Sequence, residues 1–253
     1  MEIRRKIRHY LIDIVYPDEQ FTAGDFYKKA LQARDEIVQK DKLPFFVGGT
    51  GLYINSLFEG IADIPLIGKD VKNGLLEELG EYGLGYLYQE LCTIDKNFAE
   101  KIHSNDRQRI LRALEVYRST GKPIQSFYKT NKGYESDKTL YIGLYDERDK
   151  LRANIDSRVD LMIKKGFTEE VQHIRSLGYG PELNSMKSIG YKEINMYLDG
   201  KIEFPEALES IKTGTKKYAK RQLTWFRKNK NIHWFTPVET DKIAVLVEKW
   251  LNN

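Results

Sequence analysis

Phe45-Phe46-Val47-Gly48-Gly49-Thr50-Gly51-Leu52-Tyr53 is the stretch on which the reading of the fold turns. The apolar run Leu43–Val47 has the composition of a buried strand, and Leu52–Phe58 that of a helix. Between them lie three glycines and one threonine. Glycine lets a backbone approach a ligand closely, and a helix N-terminus offers unpaired N–H groups to an anion. Thr50 adds a hydroxyl that donates to a phosphate oxygen or accepts from an amine. A plain tight turn uses the same residues. The loop alone therefore leaves two readings open, a phosphate cradle and a turn. No GxxxxGK[ST] phosphate loop occurs in the chain.

Working outward, strands and helices alternate, which predicts an α/β protein. Tyr10–Val15 reads as a strand, Phe26–Lys40 as a helix, and Thr139–Leu144 and Asn231–Phe235 as further strands. Two regions are almost purely helical. In Asp70–Thr120, residues Ile110, Ala113, Leu114 and Tyr117 repeat at the spacing of one buried helix face. In Arg148–Phe226, Leu151, Ile155, Val159 and Met162 do the same. Pro205 falls near the start of the last long helix, where a missing N–H costs little. The polar stretch Lys122–Lys138 reads as a return loop. The expected organisation is a core α/β domain at 1–63 and 137–253, interrupted by a helical insertion at 64–136.

The 253 residues carry 41 Lys and Arg against 37 Asp and Glu, a net charge of +4. At 41% hydrophobic and 31% charged, the chain is neither a disordered tail nor a fibre. No run approaches the ~18 consecutive apolar residues of a spanning helix. The opening MEIRRKIRHYLIDIVYPDEQ lacks the apolar core of a secretory leader. A single cysteine, Cys92, excludes an internal disulfide framework and a multi-cysteine zinc site. The four histidines are scattered, and neither HExxH nor GxSxG occurs, which removes metal hydrolysis and covalent nucleophilic catalysis. The expected setting is the cytoplasm.

Charge is concentrated rather than uniform. Lys212–Lys230 (KTGTKKYAKRQLTWFRKNK) holds eight cations and no anion, with Tyr218, Trp225 and Phe226 among them. Cations neutralise phosphates and rings stack on unpaired bases, so the run suits RNA; a solvated helix face would look the same. A second cluster follows Asn105-Asp106, either of which suits a helix N-cap. Arg109 and Arg112 stand there at i, i+3, able to grip adjacent phosphates or to pair within the helix, as with Glu115.

Four blocks, FFVGGTGLYINSLFEG, DRQRILRALEVYRSTGKP, SIGYKEINMYLDG and YAKRQLTWFRKN, resemble the tRNA dimethylallyltransferases, also called tRNA isopentenyltransferases. They occur in that family's order, and the likeness spans His9 to Phe235. The resemblance implies a P-loop NTPase-like parallel sheet core with a helical insertion domain. It implies transfer of a dimethylallyl group from dimethylallyl diphosphate to N6 of the adenosine beside the anticodon. It further implies Mg²⁺ as cofactor, the tRNA anticodon stem–loop as partner, no membrane association and a monomer; the residues themselves supply no metal ligand set.

By position, Thr50 matches the family threonine near the reacting amine and diphosphate, within the loop Gly48, Gly49, Thr50 and Gly51. Arg158 matches an arginine placed near the diphosphate, whereas Asn154 replaces a further arginine one turn earlier. Lys72 stands for a tRNA-contacting arginine and keeps its charge without the guanidinium fork. Gln108, Arg109 and Arg112 match a tRNA-contact segment of the insertion. Lys187, Gly190, Tyr191 and Lys192 match another, and Lys220, Arg221, Gln222, Trp225 and Arg227 a third. Family members begin with a strand, a GxTxxGK[ST] loop and an Asp-Ser segment whose aspartate looks like the general base. That unit of ~30 residues precedes the point where this chain starts, so a truncated or misannotated member is expected. The alternative is a tRNA-binding remnant without catalysis. A small-molecule kinase explains neither the basic–aromatic run nor the insertion.

Overall fold

The computed structural model describes residues 6–62, 64–128 and 139–252. In chain order it contains helices α1 (Ala23–Val38), α2 (Gly51–Phe58), α3 (Lys69–Ile94), α4 (Lys96–Ala99) and α5 (Arg107–Thr120). Strand β1 (Tyr141–Leu144) follows, then α6 (Arg148–Lys164), α7 (Phe167–Ser176), α8 (Tyr191–Leu198) and α9 (Phe204–Phe226). Strand β2 (Ile232–Phe235) and α10 (Thr240–Leu251) complete it. Contacts gather the chain into two units, Met1–Ile54 with Asp137–Asn253, and Asn55–Ser136.

In the first unit β1 and β2 pair in parallel, with Tyr141 opposite Ile232 and Leu144 opposite Phe235. The Tyr145 N–H extends the ladder by donating to the Phe235 carbonyl at 2.9 Å. Gly143 is small because Trp234 lies across it: a Cβ there would come within 2.6 Å of the indole. Parallel strands need a long crossover, and α6 to α9 supply it. Their core gathers Ile155 and Val159 of α6, Phe167 and Val171 of α7, Ile194 of α8 and Ile211 of α9. Leu151 and Met162 pack against it, so the periodicity expected for α6 is observed. Pro205 occupies the first turn of α9, as expected. Two ion pairs join α9 to α6, Lys212–Asp160 at 2.6 Å and Lys216–Asp156 at 2.5 Å.

Two expected strands are absent among the described residues. Tyr10–Val15 cannot run extended because Leu11 and Asp13 adopt left-handed φ values of 60° and 55°. Leu43–Val47 joins no ladder, and Leu43, Phe45 and Val47 are 52%, 76% and 82% exposed. Apolar composition fits a segment for a sheet, but its N–H and C=O groups need a neighbouring strand to pair with. The sheet described is therefore two-stranded, and the α/β expectation narrows to helices around one small parallel pair. The helix expected at Phe26–Lys40 begins slightly earlier, at a capping box: the Asp25 N–H donates to Thr22 Oγ1 at 3.2 Å while Asp25 accepts from the Thr22 N–H at 2.9 Å.

The second unit is helical. Helix α3 bends at Gly83, whose φ of 79° only glycine adopts cheaply. Asp106 caps α5 by accepting from the Arg109 N–H at 3.2 Å, and Gly121 ends it in the left-handed region. The expected face of α5 buries Ile110, Ala113 and Leu114; Val116 is buried too, while Tyr117 stays half-exposed. Part of the expected return loop is a 3-10 turn at Ile124–Phe127, and its remainder at 129–138 lies outside the described residues.

Arg118 of α5 closes this unit. Its guanidinium donates to both oxygens of Glu78, at 2.6 and 2.8 Å, and to both of Glu90, at 3.2 and 2.7 Å. Glu78 and Glu90 lie on either side of the Gly83 bend, so one side chain holds both arms of α3. Bonding to Arg118 pushes the Glu78 carboxyl below its ordinary pKa. Its stabilising contribution is therefore present above the ordinary carboxylate value and lost as pH falls through the lowered one. Arg118→Ala should cost about 1–3 kcal/mol in urea unfolding at pH 7. The cost should shrink in acid, and Arg118→Lys should recover only part of it.

Candidate phosphate and RNA site

The glycine loop is held from two sides within the first unit. On one side Tyr53, in the first turn of α2, stacks on Phe26 of α1 with ring centroids 4.6 Å apart and planes 14° apart. Its hydroxyl donates to the Phe21 carbonyl at 3.4 Å, and burial raises its pKa. The Thr50 carbonyl accepts from the N–H groups of Tyr53 and Ile54 at 3.0 and 3.1 Å, which makes Thr50 the N-cap of α2. The Thr50 side chain is exposed, and its hydroxyl has no hydrogen-bond partner among the described residues. Of the first-turn N–H groups behind it, those of Gly51 and Leu52 have no backbone partner among the described residues.

On the other side the loop meets α9. Gln222 Nε2 donates to the Gly49 carbonyl at 2.8 Å. A Cβ on Gly49 would fall 2.1 Å from that nitrogen, and one on Gly51 would fall 2.3 Å from the Trp225 ring. A side chain at Gly51 would meet the Trp225 ring, and one at Gly49 would displace the Gln222 carboxamide. The two expected phosphate elements, the Gly48–Gly51 loop and the Lys220–Arg227 run, are thus in contact.

Helix periodicity divides the basic run. Lys212 and Lys216 face α6 and are spent on Asp160 and Asp156. Lys217, Lys220, Arg221, Thr224, Trp225 and Lys228 line an open groove of about 490 Å³ along the outer face. Their i, i+3/4, i+7 and i+11 spacing makes one stripe. Its four cations have no carboxylate partner among the described residues. Arg221 lies over Tyr218 at 5.6 Å and Lys228 over Trp225 at 6.0 Å, cation–ring contacts that leave the charges facing water. Thr224 and Lys228 lie inside the block YAKRQLTWFRKN and Lys217 in the basic run, but it is their helical period that sets them in one groove. Arg227, at the C-cap of α9, is outside the groove lining.

Other expected residues stand elsewhere. Arg158 is exposed on α6, about half a turn around that helix from Asp156 and Asp160. No hydrogen bond or ion pair among the described residues joins it to the glycine loop or to α9. Lys187 and Lys192 are exposed on either side of Gly190. Gly190 itself is buried with a φ of 99°, and a Cβ would lie 3.0 Å from Phe167. The Tyr191 ring packs edge-on against Phe167 at 5.2 Å, and its hydroxyl donates to Glu170. Burial, aided by that bond, pushes Tyr191 up to about 12. Gly190 and Tyr191 therefore serve the core directly. In the second unit Lys72 is half-buried and Gln108 exposed. Arg109 pairs with Asp106 at 3.3 Å and Arg112 with Glu115 at 3.0 Å, so both sit in ion pairs along their own helix. Among the described residues no group of three or more His, Cys, Asp or Glu is placed to hold a metal ion.

The geometry puts a glycine-rich helix start against a basic–aromatic helix. Comparison with known proteins gives the family. The IPP transferase family model matches residues 1–229. The chain is 44% identical over 235 residues to tRNA dimethylallyltransferase 2 of Geotalea uraniireducens, covering 92% of this chain and 76% of that protein. It is 43% identical over 247 residues to the tRNA dimethylallyltransferase of Natranaerobius thermophilus, covering 96% and 74%. Among solved structures, a tRNA isopentenylpyrophosphate transferase of Staphylococcus epidermidis is similar at TM-score 0.66 and 36% identity, over 98% of this chain and 83% of that one. A eukaryotic dimethylallyltransferase acting on tRNA is similar at TM-score 0.78 and 27% identity, over 95% and 63%. The chain belongs to the IPP transferase family, a family of transferases whose named relatives are tRNA dimethylallyltransferases.

Gly190→Ala should destabilise the protein by about 1–3 kcal/mol, because alanine is strained at that φ and meets Phe167. Denaturant midpoints measure it. The folded state also favours the protonated Tyr191 phenol. Its contribution is complete below the ordinary value of 10 and is lost as pH rises towards about 12. Tyr191→Phe should remove that part of the alkaline loss of stability.

Proposed function

We propose that the chain transfers a dimethylallyl group from dimethylallyl diphosphate to N6 of the adenosine adjacent to the anticodon of tRNA. The observation that carries this reading is the contact between the glycine loop and α9, which sets an exposed, unpartnered Thr50 hydroxyl beside a cationic groove. The amine lone pair forms a C–N bond to the allylic carbon while the C–O bond to diphosphate breaks. The diphosphate leaves with that electron pair, and N6 gives up a proton to water or to the departing diphosphate. The leaving group gathers charge, so loop N–H groups and the Thr50 hydroxyl would stabilise it most as it departs. Arg158 is assigned to the diphosphate by family position alone.

Lys220 and Arg221, joined by Lys217 and Lys228, would grip the phosphates of the anticodon stem–loop, and Lys72 and Gln108 of the second unit are proposed as tRNA contacts in their own right. Arg109 and Arg112 would have to exchange their intrahelical carboxylates for phosphate. The target base has to be unstacked and held, which the exposed ring of Tyr218 suits. Magnesium is implied by the family, and it binds through few carboxylates plus substrate phosphates. Among the described residues no helix is long and apolar enough to cross a membrane, and the proposed setting is the cytoplasm.

Incubating the protein with tRNA and labelled dimethylallyl diphosphate tests the reading. Label on adenosine N6 supports it. Salt-sensitive tRNA binding without label favours a binding protein instead, and a protein that neither transfers label nor binds tRNA refutes both readings. Thr50→Ala should lower turnover by about 10²-fold while leaving tRNA affinity nearly intact. Arg221→Ala should instead weaken tRNA binding and reduce the slope of log K against log salt by about 0.7–0.9, one phosphate contact.

A further inference from the structure

We propose that Gln222 and Trp225 are positioning residues that latch the Gly48–Gly51 backbone to the flank of α9, acting through the loop rather than on RNA. They stand three apart, so they share one side of the helix: Gln222 continues the line of buried Ile211, three turns on, and Trp225 borders the cationic stripe. Gln222 spends a carboxamide N–H on a main-chain oxygen 173 positions away in sequence, at 2.8 Å. That bond fixes more than a distance. In a planar trans peptide the C=O and the following N–H point in opposite directions. Turning the Gly49 carbonyl towards α9 therefore aims the Thr50 N–H away from it, outward from the loop, where an anion can accept. Trp225 sets the second constraint, because its ring lies so close to Gly51 that no Cβ fits. One contact orients the peptide and the other seats the loop, so the N–H groups are arranged before any ligand arrives.

The latch itself stands on these contacts. Its consequence for turnover rests on the loop being the diphosphate cradle proposed above, and two separate readouts distinguish the two. The first is hydrogen exchange of the backbone segment 45–53 in the full-length protein. Gln222→Met keeps length and removes the donor; exchange there should rise about fivefold, the factor that one net hydrogen bond is worth at 25 °C. Gly51→Ala should raise it as well, because the methyl and the indole cannot share that space, and Trp225→Ala should raise it by removing the ring that seats the loop. The second readout is function. Gln222→Met should raise KM for dimethylallyl diphosphate or lower kcat while leaving the dissociation constant for an anticodon stem–loop RNA unchanged.

Unchanged exchange in Gln222→Met overturns the latch, and weakened RNA binding in that variant would make Gln222 an RNA contact instead. Faster exchange in a protein that transfers no label would uphold the latch and refute the proposed activity.

Discussion

Helix α9 meets three demands with one amphipathic surface, and the first unit depends on its doing so. Its buried face, with Ala207 and Ile211, packs into the core shared by α6, α7 and α8, and Lys212 and Lys216 tie it to α6 by ion pairs. Its outer stripe carries four cations without carboxylate partners among the described residues. Its flank holds the glycine loop through Gln222 and Trp225. Burial of apolar area fixes the rotation of the helix about its axis. Once the rotation is fixed, the cationic stripe has one direction to face and the flank has one neighbour. The hydrophobic core thus sets the chemistry of the groove indirectly, by deciding which side of the helix remains in water.

The loop and the helix contribute different kinds of positive potential. The N-terminus of α2 presents main-chain N–H groups that cost no rearrangement when an anion arrives. The lysines and Arg221 of α9 are long, mobile and salt-sensitive, suited to a polyanion that slides into place. The activity proposed above, which joins a small diphosphate to an RNA, makes these two different demands. The contact between Gly49 and Gln222 is what brings the two surfaces to one place. In the second unit, charge is used differently: Arg118 is consumed by Glu78 and Glu90, and Arg109 and Arg112 by neighbours on their own helix. That unit spends much of its charge on its own shape.

Much of the helical architecture is legible in periodicity. Ile110, Ala113 and Leu114 mark the buried face of α5, and Ile155 and Val159 that of α6. The strands at Tyr141–Leu144 and Ile232–Phe235 fall within the expected Thr139–Leu144 and Asn231–Phe235. Tyr10–Val15 and Leu43–Val47 look equally apolar and form no strand, because strandedness belongs to a pair of segments rather than to one. Gly190 and Tyr191, legible by motif as RNA contacts, are engaged by Phe167 and Glu170. A motif marks residues that matter without saying whether they touch ligand or hold the fold.

What the amino-acid order determines alone is local: a glycine-rich turn before a helix, a basic–aromatic run at helical period, and the buried faces of the long helices. Each follows from interactions between residues a few positions apart, whose geometry the backbone repeat dictates. Only the tertiary structure decides that Gly49 and Gln222 touch, that Trp225 leaves no room at Gly51, and which lysines remain free. Those outcomes depend on how packed helices rotate against one another, and no short-range pattern encodes that rotation.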